Sequence, residues 1–273
     1  MKNSQEQTNK GFALQGRDIR LVLDLFASRG MSRDQIISLG YFNSIPRANA
    51  RLCKLVRHGF LNRFIHLARG TGSQSLYRAG MAAAKLIGST FELDHKSVHL
   101  QLRRDNAPLH LPHTLKLVDL RILFSSQAKK CGLADFTWTP EYLCCHEYLV
   151  AQGAKWLKRI IKSDAVAVWK ETTGPRICFL ELDLGHVSSD KFSDKIKSYD
   201  RYLKDGAFEE AYPAKSFEVL TITTGQLRLS KLKKLCASNK FLFCTLKELE
   251  QIGAFQLNWQ TPCGSVRLLR GEQ

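Results

Sequence analysis

The sequence predicts a mixed α/β chain, a basic helical N-terminal third leading into an α/β core. Two observations carry that expectation. Helix-period apolar spacing fills residues 15 to 57, and short apolar strands alternate with helices from residue 164 onward. A third observation bears on partners. The 273 residues hold 41 Lys and Arg against 25 Asp and Glu, a formal net charge of +16.

The first helix is expected over Gln15–Ser28, with Ile19, Val22, Leu23 and Phe26 on one side and Gly30 as its stop. A second follows Ser32, a natural cap, and buries Ile36, Ile37 and Leu39. In "NSIPRANARLCKLVRHGFL", Asn43 or Ser44 caps a third helix and Pro46 suits its first turn. Its apolar stripe is Ala50, Leu52 or Cys53, Leu55 and Val56, while Arg47, Asn49, Arg51, Lys54 and Arg57 lie elsewhere around it. "FLNRFIHL" and "QSLYRAG" then read as a hairpin around a Gly/Ser turn, closed by a short helix at "MAAAKLIG".

Helix, helix, basic helix and hairpin is the order of a winged helix-turn-helix. Such a third helix can enter the major groove, where Arg and Asn read base edges. Arg63, Arg69 and Arg78 on the hairpin are placed to meet phosphates or the minor groove. Between Gln15 and Gly80, eleven Arg and Lys residues face three Asp, about half of the excess charge. Double-stranded DNA is the expected partner, against the plainer alternative of an interaction module with a solvated basic face.

Residues 89–140 read as a linking segment. Pro108 and Pro112 mark a connector before the helical pattern "HTLKLVDLRILFSSQAKK". His110 and His113 precede it, as structural or capping residues or as ligands. "FTWTPEYLCCHEYLVAQGAKWLKRIIK" is expected to give a strand or loop and another helix. From there "SDAVAVWKE" and "ICFLELDLG" are strands and "SSDKFSDKIKSYDRYLKDG" is a capped helix. "SFEVLTITTG" is a strand, "QLRLSKLKKLCASN" a helix, and "KFLFCTLKELEQIG" a last strand running into a turn.

Several classes are argued against. The sequence has no run of about 20 apolar residues to span a membrane. "MKNSQEQTNKG" has no signal-peptide apolar region and reads as a disordered lead over residues 1–13, so a cytoplasmic location is expected. Eight cysteines form no C-x-x-C pair, which favours reduced thiols over zinc ligation. No Gly-rich phosphate loop is present, and neither a nucleotide nor an organic cofactor is expected.

The chemistry-bearing constellation lies in the C-terminal half. Asp164 starts one strand, and Glu181 and Asp183, two apart, share a face of the next. Three carboxylates on one sheet edge can hold Mg²⁺ through oxygen ligands, and the metal can activate water against a phosphate. Lys195, with Lys191 and Lys197 beside it, can reach that edge from the following helix, and Tyr199 lies one turn beyond Lys195. The alternative is an acidic rim on a half-buried strand, held by ordinary ion pairs.

The pattern as a whole resembles the replication-relaxation family of plasmids and other mobile elements, over roughly residues 15 to 235. "RDIRLVLDLFASRGMSRDQIISLGYF", "RANARLCKLVRHGFLNR" and "LYRAG" look like its winged helix, and "LPHTLKLVDLRILF" like its linking helix, with His113 at the matching histidine. "SDAVAVW", "FLELDLG" and "DKIKSYDRYL" look like its C-terminal signature, which is similar in turn to PD-(D/E)XK nucleases. The resemblance implies a winged helix at residues 14–88 and a restriction-endonuclease-like α/β domain at 141–273. Asp164 and Glu181 would be the metal acids. Ser163 stands at the motif's proline, and Asp183 where such nucleases usually carry lysine, so catalysis would call on a displaced lysine, best Lys195.

Two functions follow. One is a DNA-binding protein of a mobile element whose nuclease-like domain nicks DNA with a divalent metal, working with replication or transfer proteins. The other is a non-catalytic winged-helix regulator or accessory factor that uses a degenerate nuclease fold for partner binding or dimerisation as a homodimer. An RNA-binding or defence role is a third, weaker alternative.

Overall fold

The structure is a computed structural model describing residues 12–68, 72–104, 111–133, 135–153, 155–172 and 174–269. It is mixed α/β, as expected, and divides into two compact units with the boundary after Ile122.

In the first unit, α1 (Gly16–Ala27) is followed by β1 (Met31–Ser32), α2 (Arg33–Ser38) and α3 (Ile45–Arg57). Then come β2 (Leu61–Ala68), β3 (Gly72–Ala79), α4 (Ala84–Phe91) and α5 (His95–Arg104). The next helix, α6 (Leu111–Lys130), contains the unit boundary. The three strands form an antiparallel sheet in the order β1-β3-β2. Leu21, Val22 and Leu25 of α1, Ile36 of α2, and Ala48, Leu52 and Leu55 of α3 are almost wholly buried, forming one core with Met31, Leu61 and Leu76.

Local chemistry fixes the ends of these elements. Ser32 caps α2 in a reciprocal box: Gln35 N donates to Ser32 Oγ at 3.1 Å and Ser32 N donates to Gln35 Oε1 at 2.9 Å. Gly80, which leads from the hairpin into α4, packs so tightly that a Cβ there would lie 2.3 Å from the Gly59 carbonyl oxygen. Only glycine allows that approach.

In the second unit, β4 (Thr137–Pro140) precedes a ribbon of β5 (Cys145–Gln152) and β6 (Lys155–Lys162). The core then runs β7 (Ala165–Glu171), β8 (Gly174–Asp183), α7 (Ser189–Lys204), α8 (Ala207–Ala211), β9 (Glu218–Thr223), α9 (Gln226–Lys234), β10 (Phe241–Thr245) and α10 (Leu246–Ile252). Two short strands, β11 (Trp259–Gln260) and β12 (Val266–Arg267), complete it. The seven-stranded sheet has the order β12-β11-β10-β9-β8-β7-β4. Strands β8, β9 and β10 are parallel; the other pairings are antiparallel.

Strand β8 is buried from Ile177 to Asp183. Ile177 and Phe179 share a core with Phe192, Tyr199 and Tyr202 of α7 and Leu229 and Leu232 of α9. A strand buried on both faces explains the continuous run "ICFLELD".

Three expectations are corrected. The helix expected within "EYLCCHEYLVAQGAKWLKRIIK" is the β5–β6 hairpin, turning at Gly153, whose φ is +60°. The last strand runs into helix α10, capped by a Thr245–Glu248 box, rather than into a turn. The segment read as a linker holds α5 and also β4, which pairs with β7. All eight cysteines are free thiols, and no described helix is long and apolar enough to cross a membrane.

Candidate functional site

The acidic edge is built by the β7–β8 pairing. Ala165 lies opposite Leu180, so Asp164, one residue earlier, faces Glu181 across the strands. Asp164 is held in place by the main chain. Its N–H donates to the Leu180 carbonyl at 3.0 Å, and its Oδ2 accepts from Leu182 N at 2.8 Å.

Glu181 is 5% exposed, and α7 closes over it. Ser188 caps that helix by accepting from Lys191 N, which sets its phase. Lys195 and Tyr199 then lie one turn apart on the face toward β8. Lys195 Nζ donates to Glu181 Oε2, and Tyr199 OH donates to Oε1 at 2.5 Å. Lys195 thus reaches the acid from its helix.

Burial raises the Glu181 carboxyl to about 7; the Asp164 charge adds to the rise and the Lys195 ammonium opposes it. Burial works to lower the Lys195 ammonium, but the charges of Glu181 and Asp164 outweigh it and hold the ammonium above its ordinary value. Burial, then the Glu181 charge, pushes the Tyr199 phenol well up, so that it stays a hydrogen-bond donor rather than becoming a phenolate nucleophile.

Asp183 has a separate cation. Arg228 Nε, from α9, donates to its Oδ2 at 2.5 Å, and Gly185 N donates to Oδ1 at 2.7 Å. Arg228 Nη2 also donates to the Val187 carbonyl at 2.5 Å. The sequence carries no local signal for Arg228, which lies 45 residues beyond Asp183 in a lysine-rich helix.

Two of the three expected metal acids are therefore matched one to one with protein cations, Glu181 with Lys195 and Asp183 with Arg228. A hard divalent ion needs several anionic or carbonyl oxygens turned toward one point. Among the described residues no group of three or more His, Cys, Asp or Glu is arranged to hold a metal. In this arrangement Lys195 and Arg228 stand on the oxygens of Glu181 and Asp183 that a metal ion would need.

The basic residues of the first unit sort into two sets. Helix α3 turns Ala48, Leu52 and Leu55 inward. Arg47, Lys54 and Arg57 are exposed and form one stripe spanning about 80° of the helix, roughly opposite the core side. Asn49 is also exposed but lies on the other flank, where its Oδ1 accepts from Arg33 Nη1 at 3.5 Å.

Arg51 turns inward. Its Nε lies 3.1 Å from both oxygens of the fully buried Asp18, its Nη2 donates to Asp18 and to the Ala13 carbonyl, and its guanidinium lies over the Phe12 ring. On β2, Arg63 is exposed and donates to Ser75 Oγ at 2.9 Å. Arg78 on β3 is only 8% exposed, with its guanidinium 5.4 Å from the Phe64 ring centroid. Arg69 and His110 lie outside the described residues. His113 lies in the first turn of α6.

No curated protein and no solved structure matches this chain. A family model described as replication-relaxation matches residues 24–215, which include α3, Asp164, the Glu181–Asp183 strand and all of α7. That match covers more than two thirds of the sequence, and the chain belongs to the replication-relaxation family.

Proposed function

We propose that the protein binds double-stranded DNA through a winged helix-turn-helix in its first unit, serving replication, relaxation or transfer of a plasmid or other mobile element. In this proposal the second unit is a PD-(D/E)XK nuclease-like core whose Glu181 and Asp183 are held by protein cations, acting as a platform for partner binding or dimerisation. One observation carries the DNA-binding part: Arg47, Lys54 and Arg57 form a single exposed stripe on the third helix, next in sequence to a hairpin that exposes Arg63. The order α1–α2–α3–β2–β3 supports the winged-helix assignment, with α3 as the helix for the major groove.

Fluorescence anisotropy with labelled duplexes tests it. The double variant Arg47→Ala/Arg57→Ala is expected to weaken duplex binding about tenfold or more with an unchanged melting temperature. Arg51→Ala is expected to lower the melting temperature instead, because it leaves the buried Asp18 carboxylate without its cation. Undiminished binding by the double variant would overturn the assignment.

A second proposal is metal-dependent nicking, favoured by one observation: Lys195 contacts Glu181, and the Asp164 charge acts on both. Supercoiled plasmid incubated with Mg²⁺ or Mn²⁺ decides between the two. Nicking that is lost in both Glu181→Ala and Lys195→Ala supports an enzyme. Nicking that persists in both variants, or is absent from the native protein, supports the binding platform.

A further inference from the structure

The β5–β6 ribbon stands outside the seven-stranded sheet and forms a two-stranded sheet by itself. Its register, from Cys145↔Lys162 to Gln152↔Lys155, sorts the side chains onto two faces. One face is anchored to α7 and to the residue that ends it. His146 Nδ1 lies 2.7 Å from Tyr202 OH, Arg159 donates to Asp205, and Tyr148 OH donates to Asp205 at 3.4 Å. Ile161 is buried beside them. An isolated two-stranded ribbon is marginal in water, and this face supplies the backing it needs.

The opposite face carries Leu149, Trp156 and Ile160, which are 64%, 72% and 53% exposed. Lys158 and Lys162 stand among them, with Lys155 at the tip. An indole and two branched aliphatics gathered on one exposed face form the kind of patch that marks a binding surface.

The chemistry of the patch selects that ligand. Protein interfaces favour Trp but disfavour Lys at their centres. The outer face holds Lys158 and Lys162, with Lys155 at the tip, against the single carboxylate of Glu147. Lys158 pairs with Glu147 and Lys162 with Glu141; both lysines are half-exposed, and pairs at the surface are weak enough to yield to a phosphate. A ribbon reading a duplex major groove presents polar groups to base edges. Here the central positions are π and hydrocarbon surface, which complements the faces of unpaired bases.

We infer that the outer face of the β5–β6 ribbon binds single-stranded nucleic acid, with a base stacked on Trp156 and the neighbouring lysines on phosphates. This surface is separate from the stripe on α3 and does not depend on it.

The test uses the full chain and labelled oligothymidylate of ~16 nucleotides, with an oligouridylate arm to separate DNA from RNA and a duplex of the same length. Trp156→Ala is expected to weaken single-strand binding about tenfold or more and to leave duplex affinity unchanged, while Trp156→Phe retains most of the binding. Trp169 and Trp259 are buried and Trp138 is half-buried, so most of the fluorescence quenching on binding should be lost with Trp156. Lys158→Ala/Lys162→Ala, which keeps the indole, should weaken binding and flatten its salt dependence. Unchanged single-strand affinity in Trp156→Ala overturns the inference. If that variant instead shifts the sedimentation coefficient with unchanged affinity, the face is a self-association surface. Native protein that binds duplex but not single strands refutes this inference alone; binding neither refutes the duplex assignment as well.

Discussion

At the scale of single residues, Glu181 is a carboxylate in a place that resists charge. Burial lifts it from 4.5 to about 7, against the pull of Lys195. Between those values the folded chain holds a proton that the unfolded chain has lost. Stability from this group therefore falls as pH rises through that window and levels off above it. Glu181→Gln removes the titration. From pH 5 to pH 8 the variant should gain on the native protein by at most about 3 kcal/mol, read from urea unfolding at each pH. A native-to-variant difference that does not change with pH would mean that the carboxyl ionises normally in the fold. Much of this site was legible in the sequence, because it rests on short periods. Glu181 and Asp183 are two apart on a strand, and Lys195 and Tyr199 four apart on a helix. Arg228 was not legible: its contact with Asp183 depends on where β9 and α9 bring the chain back, which no local spacing records.

At the scale of elements, cap chemistry made α2 predictable while its tertiary role stayed hidden. Ser32 announces the helix start, but Gln35 does more than complete the box. Its Nε2 donates to the Leu115 carbonyl at 2.8 Å and to Asp119 Oδ1 at 2.7 Å, tying α2 to α6 across 80 residues of sequence. Ser32→Ala should cost about 1 kcal/mol, the usual worth of a cap. Gln35→Ala should cost about 2 kcal/mol, since it also leaves those two acceptors without their donor. Hydrogen exchange of the α2 amides, with urea unfolding beside it, measures both. Equal losses in the two variants would show that the tie to α6 contributes nothing. The β5–β6 ribbon failed for the opposite reason. A half-buried strand is recognised by polar residues alternating with apolar ones. Here the outer face carries Leu149, Trp156 and Ile160, so apolar residues occur on both faces and the period of two is lost. The feature that hid the ribbon is the one that gives it a surface to bind with.

At the scale of the whole molecule, the charge of +16 attracts any polyanion, and affinity alone cannot separate a specific stripe from a diffuse field. Salt dependence can. Each phosphate neutralised by a cation on duplex DNA releases counterions and adds about −0.9 to the slope of log K against log salt. If Arg47, Lys54, Arg57 and Arg63 each meet one phosphate, the slope should lie near −3.6. Replacing Arg47, Lys54 and Arg57 together by alanine should flatten it by about 3, across duplexes of unrelated sequence. These three side chains are exposed on α3, so the melting temperature should stay put and report that the fold is intact. A slope much steeper than −4 that survives the triple variant would move the interface off α3, to cations spread over the rest of the chain. A shallow slope lost entirely in the variant would confine duplex binding to this one helix, with the charge elsewhere serving the encounter and not the complex.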